Sequence, residues 1–207
     1  MIYNYVNLLY NIYLGDFMAS IERDKAIELF KKYNSEESLF KHALSVEAVM
    51  RYFARKNKED EDEWGMVGLL HDMDYEMYPN EHCIKVKEIL EKENLPESFI
   101  RAIQSHGFEI CVDIEPISDM EKTLYAVDEL AGFITACALV RPSKSVEDME
   151  VKSVKKKLKN KNFAAKVDRD VINKGAERLG ISLDELIQET INALIPVQEE
   201  IGLEKIS

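Results

Sequence analysis

The sequence predicts an all-α protein, and three observations carry that reading. Apolar residues recur at helical spacing along most of the chain, no segment reads convincingly as a strand, and only 8 Gly and 5 Pro stand among 207 residues. So few turn-formers leave little room for the many tight connections of a sandwich or barrel.

The first helix is expected over about 20–33, where Ile21, Ala26, Ile27, Leu29 and Phe30 supply the apolar side and Ser20 is placed to cap it. Asn34-Ser35 breaks it. Ser35, Glu36 and Glu37 open a second helix, about 36–56, because a capping hydroxyl and acidic residues both favour the positive end of a helix. Its apolar stripe runs through Leu39, Val46, Val49, Met50 and Phe53, and His42 lies on that core-facing stripe. The run "KNKEDEDE" is a solvated connector, and "WGMVGLLHD" is a short buried helix in which Gly65 and Gly68 allow close packing.

"YPNEH" reads as a loop leading into a helix over about 81–93. Pro96 starts another, ending near His106-Gly107 with Gly107 as its C-terminal cap. A loop with Pro116 fills 108–117. A long helix over about 118–140 stops at Arg141-Pro142, with Leu124, Asp128, Ala131 and Thr135 sharing a face. A lysine-rich helix (about 146–160), a helix near 164–179 closed by Gly180, and a last helix opened by the capping-box pattern Ser182-Leu183-Asp184-Glu185 complete the chain, with Pro196 kinking or ending the last. There is no internal repeat. The expected division is an N-terminal extension (1–19), a helical core (20–141) and C-terminal helices packed on it (142–207).

Composition narrows the function. Hydrophobic residues make up 46% and charged residues 32%, and the length suits one domain with a substantial core. A formal net charge of -12 argues against stable nucleic-acid binding, since phosphate backbones would be repelled. Three cysteines, Cys83, Cys111 and Cys137, lack CxxC spacing; they suggest a reducing, cytoplasmic setting with neither a disulfide framework nor a zinc-thiolate knuckle. The opening "MIYNYVNLLYNIYLGDFMAS" is aromatic and apolar but has no basic residue and is interrupted by Asn4, Asn7, Asn11 and Asp16, which fits neither a signal peptide nor a membrane span. Either Met18 is the natural start, or the segment is an amphipathic arm covering a groove or the partner in a homodimer.

The four histidines, His42, His71, His82 and His106, mark four successive expected helices, with Asp72 beside His71 and Asp128 on a buried-looking face of the next helix. A lone histidine in such a place is usually a satisfied core or helix-end residue; packing gives no reason to place all four on consecutive helices. Neighbouring helical residues point about 100° apart, so His71 and Asp72 can serve one ion only where a helix ends. Imidazole and carboxylate donors without thiolate suit a divalent transition metal, whether Fe, Mn, Co, Ni or Zn, and argue against structural zinc.

The order His…His-Asp…Asp, carried by His42, His71-Asp72 and Asp128 and flanked by "LFKHALSVEAVMRYFA" and "TLYAVDELAGFI", resembles the HD superfamily of metal-dependent phosphohydrolases over about residues 20–140. The resemblance implies an HD-domain helical bundle with additional C-terminal helices. In two-metal relatives two further histidines fall between the doublet and the final Asp, and His82 and His106 occupy that interval in that order. It thus implies two ions, one on His42, His71, Asp72 and Asp128, the other on Asp72, His82 and His106, with Asp72 bridging. In a one-metal site His82 and His106 would instead bind phosphate.

The implied activity is hydrolysis of a small phosphoester, a nucleotide in first place, by metal-activated water. Asp74 is a candidate to orient a ligand or carry a proton, its plain alternative being a helix-end acid. Arg141 is a candidate phosphate-binding group. The six lysines of "VKSVKKKLKNK" form either a solvated face or a basic collar that draws in an anionic substrate. Many dinuclear relatives read HD-apolar-Gly-Lys; Asp74 and Tyr75 stand here instead, a departure from the cyclic-di-GMP phosphodiesterases and myo-inositol oxygenase. A diiron oxygenase on the same ligands is the second reading, and a non-catalytic metal-binding regulatory domain the third. The expected partner is a small phosphorylated substrate, with no membrane association.

Overall fold

The residues that start and stop each helix account for much of the architecture. The computed structural model describes residues 21–206, and among them the chain forms nine α-helices, one 3-10 turn and no strand, an all-α protein as its sequence predicts. The expectations about Met18, Ser20 and the N-terminal arm lie outside the described residues.

Helix α1 (Arg23–Tyr33) leads into α2 (Glu37–Asn57), which ends at Lys58 in the left-handed conformation (φ 63°). Asp60 then caps α3 (Glu61–Leu70), its carboxylate accepting from the amides of Asp62 and Glu63. Helices α2 and α3 form the most extensive contact of the fold. A Cβ on Gly68 would lie 2.9 Å from Met50 Cγ and 3.0 Å from the Val46 carbonyl oxygen, so this glycine sets how closely the pair approaches. The buried carboxylate of Glu47 on α2 accepts from Arg23 of α1 (2.7 Å) and from Arg51 (3.0 Å), an arrangement in which all three charges are partnered.

After a turn-rich stretch come α4 (Lys85–Lys92) and α5 (Glu97–Ser105), packed on each other. Helix α6 (Asp119–Leu139) opens with a full capping box between Ser118 and Glu121, crosses α2 and buries Leu124, Val127, Leu130, Ala131, Phe133 and Ile134. Three shorter helices, α7 (Val151–Leu158), α8 (Arg169–Leu179) and α9 (Leu183–Leu194), finish the structure, followed by a 3-10 turn at Ile195–Val197. Helix α8 lies along α6, and α9 touches both α2 and α6. Glu189 of α9 receives hydrogen bonds from Tyr52 and Lys56 of α2. No helix among the described residues is long and apolar enough to cross a membrane.

Several boundaries depart from the sequence expectation. Gly107 is not a left-handed cap: the only positive-φ glycines among the described residues are Gly180 and Gly202. Helix α4 starts at Lys85 rather than near 81, because Cys83 takes a left-handed conformation (φ 64°). The lysine-rich helix starts at Val151 rather than near 146, because Ser145 is tied to Gln198 (2.7 Å) and accepts the Glu147 amide in a turn. Helix α8 starts at Arg169, capped by Asp168, because Ala164 is left-handed (φ 44°).

Helices α6 and α8 approach closely through their backbones. A Cβ on Gly175 would fall 2.5 Å from Ala126 Cα and 2.7 Å from Ala126 Cβ, and no side-chain rotation relieves a clash with backbone. Gly175→Ala is therefore expected to destabilise the fold by about 1–3 kcal/mol, as overpacking does. That should appear as a fall of several degrees in the thermal midpoint; an unchanged midpoint would mean that the two helices separate freely.

Candidate metal centre

Local helix chemistry decides which face each imidazole presents. His71 follows the last residue of α3 and His106 the last of α5, in the stretch where helix carbonyls run out of amide partners. Each ring folds back on the carbonyl three residues earlier: His71 Nδ1 donates to Gly68 O (2.7 Å), and His106 Nδ1 to Ile103 O (2.5 Å). His82, in the turn before α4, donates from Nδ1 to Asp74 Oδ1 (2.7 Å). With these protons committed outward, all three rings turn an Nε2 lone pair inward.

These nitrogens meet in two groups. His42, from the middle of α2, brings its Nε2 to 3.2 Å from His71 Nε2 and 2.9 Å from Asp128 Oδ1 of α6, and His71 Nε2 lies 3.3 Å from the same oxygen. His82 Nε2 and His106 Nε2 stand 3.2 Å apart. Asp72 joins the groups: its Oδ2 lies 3.4 Å from His71 Nε2 and 3.8 Å from His42 Nε2, while its Oδ1 lies 3.4 Å from His82 Nε2 and 3.6 Å from His106 Nε2. Donors about 2.0–2.2 Å from a shared ion fall roughly 2.9–3.6 Å apart at coordination angles of 90–110°. All the separations but the 3.8 Å between His42 Nε2 and Asp72 Oδ2 fall in that range, and Asp72 turns one carboxylate oxygen to each group.

The face-to-face lone pairs of His82 and His106 repel each other unless a proton or a cation lies between them. Asp72 and Asp128 add negative charge. Burial opposes their ionised forms, but His71 beside both, with His42 and His106, outweighs it and holds both carboxyls well below the usual range. Burial likewise opposes a charged His71, yet Asp72 and Asp128 raise its proton affinity well above the usual imidazole value. His82 is raised too, against burial, chiefly by its bond to Asp74. The centre therefore demands positive charge, as protons or as metal. His71 and His106 are buried while His42, Asp72, His82 and Asp128 keep partial exposure, so solvent reaches the cluster.

Asp74 sits just outside the cluster, fully buried, with Oδ1 on His82 and Oδ2 accepting the Val86 amide (2.8 Å). Both oxygens are occupied, so its geometry is that of an orienting group rather than a proton carrier. The following turn is strapped down: the Glu76 carboxylate accepts from the amides of Ser35 and Glu36 (2.8 and 2.9 Å), and Asn34 donates to the Met73 carbonyl (2.8 Å). Tyr75 stays half exposed and places its ring edge-on to His82, centroids 5.1 Å apart.

Two candidates are not brought here. Arg141 lies thirteen residues beyond Asp128, roughly 20 Å along the helix axis, and its guanidinium binds the carboxylate (2.6 Å) and carbonyl (2.8 Å) of Asp148. It pins the turn after α6. The lysine-rich helix packs against α9 and the far end of α6; Lys155 pairs with Asp184, and Lys157 lies over the Phe163 ring.

Sequence reasoning overlooked three neighbours of the centre. Glu129, beside Asp128, is pushed up to about 7 by burial and by that carboxylate. Cys83 and Cys111 come together at Gly107, where a Cβ would lie 2.6 and 2.5 Å from their sulfurs. The contact with Cys83, helped by His82 and His106, lowers Cys111 to about 6, while the contact with Cys111 and burial raise Cys83. Cys83 Sγ lies 3.7 Å from His106 Nε2 and 4.0 Å from its Nδ1. Nearly equal distances put it beside the ring rather than along the Nε2 lone-pair axis, so it is not placed as a ligand with His82 and His106. Only the adjacency of Cys83 to His82 hinted at this in the sequence.

Residues 39–132 match the family model of the HD domain, a segment containing all six converging residues. No curated protein and no solved structure matches the chain.

Removing the Asp74 carboxylate should release the His82 tautomer. Asp74→Ala is expected to weaken binding at the His82–His106 position about 10–100-fold while leaving the His42–Asp128 position near its original affinity, as read by metal titration with elemental analysis. The raised His71 value gives a pH dependence. In the metal-free protein the attraction of His71 for its carboxylates is fully present below about pH 6.5, the unfolded imidazole value, and fades as pH climbs through the higher folded value. Metal-free protein should thus lose stability above neutrality, while metal affinity climbs over the same range as the competing proton leaves; thermal melts with and without chelator from pH 6 to 9 test both.

Proposed function

We propose that this chain, which carries an HD domain of the metal-dependent hydrolase superfamily over residues 39–132, hydrolyses a small phosphoester, in first place a nucleotide. His42, His71, Asp72 and Asp128 would hold one divalent transition ion, and Asp72, His82 and His106 a second. The observation that carries this reading is the convergence of Nε2 lone pairs, 3.2 Å apart in each group, on the two separate oxygens of Asp72. The donors are nitrogen and oxygen only, which suits Fe, Mn, Co, Ni or Zn.

When bound, such ions would lower the pKa of water toward 7 and offset the negative charge of a phosphoryl group. The chain's own residues set the stage for that. The Gly68 and Ile103 carbonyls and Asp74 keep three imidazoles in the ligating tautomer, which removes those rings from proton transfer. Burial of His71 and His106 excludes water from the back of the centre, and the partly exposed residues leave one side for substrate. Since the chain carries a net charge of -12, attraction for a phosphorylated substrate has to come from the loaded centre itself.

The test is anaerobic purification with elemental analysis, followed by a panel of nucleotides and other phosphoesters supplied with Mn or Co. Phosphate release without oxygen is expected, and Asp128→Ala should lower it by about 1000-fold or more, the equivalent of some 4 kcal/mol of barrier. Substrate loss that requires oxygen would instead identify a diiron oxygenase, and a metal-loaded protein inert to every substrate would indicate a binding domain.

A further inference from the structure

The thiols of Cys83 and Cys111 belong to separate segments, the His82 turn and the loop that follows α5, and meet only in the folded chain. Gly107 makes the meeting possible, because a Cβ there would lie 2.5 and 2.6 Å from the Cys111 and Cys83 sulfurs, too close for both to stay. Their surroundings differ. Cys111 is exposed, on a tight turn in which its own amide and that of Val112 both donate to the Gly107 carbonyl (2.9 and 3.2 Å). Cys83 is buried, with its sulfur against the His106 ring. The third cysteine, Cys137, is buried near the far end of α6 and has no share in this pair.

An exposed thiol with a buried thiol beside it is the arrangement of an attacking and a resolving cysteine. We propose that Cys111 and Cys83 form a peroxide-reactive dithiol whose oxidation to a disulfide releases the ion held by His82 and His106. Cys111, as thiolate, attacks one oxygen of hydrogen peroxide; a sulfur–oxygen bond forms, the oxygen–oxygen bond breaks and hydroxide leaves, giving a sulfenic acid. The sulfur of Cys83 then attacks the Cys111 sulfur; the sulfur–sulfur bond forms, the sulfur–oxygen bond breaks, and the departing hydroxide takes the Cys83 proton as water. Two thiols are oxidised and one peroxide is reduced to water. Bonding to Cys111 draws the Cys83 sulfur away from the His106 ring and pins the residue that follows His82, so both imidazoles move. The loss of the ion rests on the ligand assignment proposed above; the disulfide does not.

The experiment uses full-length protein loaded with zinc, so that peroxide meets no redox-active ion. A few equivalents of hydrogen peroxide should lower the intact mass by two hydrogens, peptide mapping should link Cys83 to Cys111 with Cys137 still open to alkylation, and a thiol reductant should reverse the change. Affinity at the second position should fall about 10-fold or more on oxidation, the scale of lost ligand orientation, and Cys111→Ser should abolish both the link and the fall. Stepwise oxidation of Cys111 to sulfinic acid with no link, or a link through Cys137, would overturn the dithiol. A Cys83–Cys111 link with unchanged zinc affinity would overturn the coupling to the ion. Failure of the reduced protein to bind zinc at all would count against the metal assignment, while the mass and mapping results still decide the dithiol.

Discussion

Three imidazole Nδ1 protons are donated away from the centre, two to carbonyls in the last turns of α3 and α5 and one to the buried Asp74 carboxylate. The rest of the site follows from where those protons go. If the rings turned their N–H groups inward, they would satisfy Asp72 and Asp128 directly and no demand for a cation would remain. Because the helix ends and Asp74 claim the Nδ1 protons first, the inner nitrogens are left facing one another and two carboxylates, where a proton or a cation is needed. A feature of every helix, its unsatisfied C-terminal carbonyls, thus sets the inward aim of the cluster.

Asp72 depends on the same helix end. One residue past His71, it has left the helical repeat, so its carboxylate can lie beside the His71 ring instead of 100° around the axis. Its two oxygens then face different histidine pairs, and that split divides six side chains into two groups. The strapped turn that follows keeps the geometry fixed: Glu76 and Asn34 tie residues 73–76 to the junction of α1 and α2.

Much of this could be read from the sequence, for identifiable reasons. Helical spacing of apolar residues exposes the long helices, and the stripe that places His42 inward also places Val46, Val49 and Phe53 there. The order of His42, His71-Asp72 and Asp128 is a one-dimensional trace of helices that face a common point. What stayed hidden depends on contacts that spacing does not encode. The dithiol joins residues 28 positions apart through a glycine that looked like a helix cap. Arg141 looked like a phosphate-binding group because it follows the helix that carries Asp128, but the length of α6 carries it away from the centre. The lysine-rich segment looked like one long helix because its turn at 143–149 is held by the tertiary contact between Ser145 and Gln198, which no local propensity reveals.

Gly175 has an implication for how the molecule can be divided. All six converging residues lie before residue 130, so a chain shortened after α6 would retain every donor. Yet Ala126, two residues before Asp128, rests directly on the backbone of α8. Stripped of that support, the helix bearing Asp128 would turn a bare apolar flank to water, and the shortened piece would keep the six side chains without the scaffold that aims one of them. The minimal unit able to assemble this centre therefore extends through α8, well past the last residue that takes part in it.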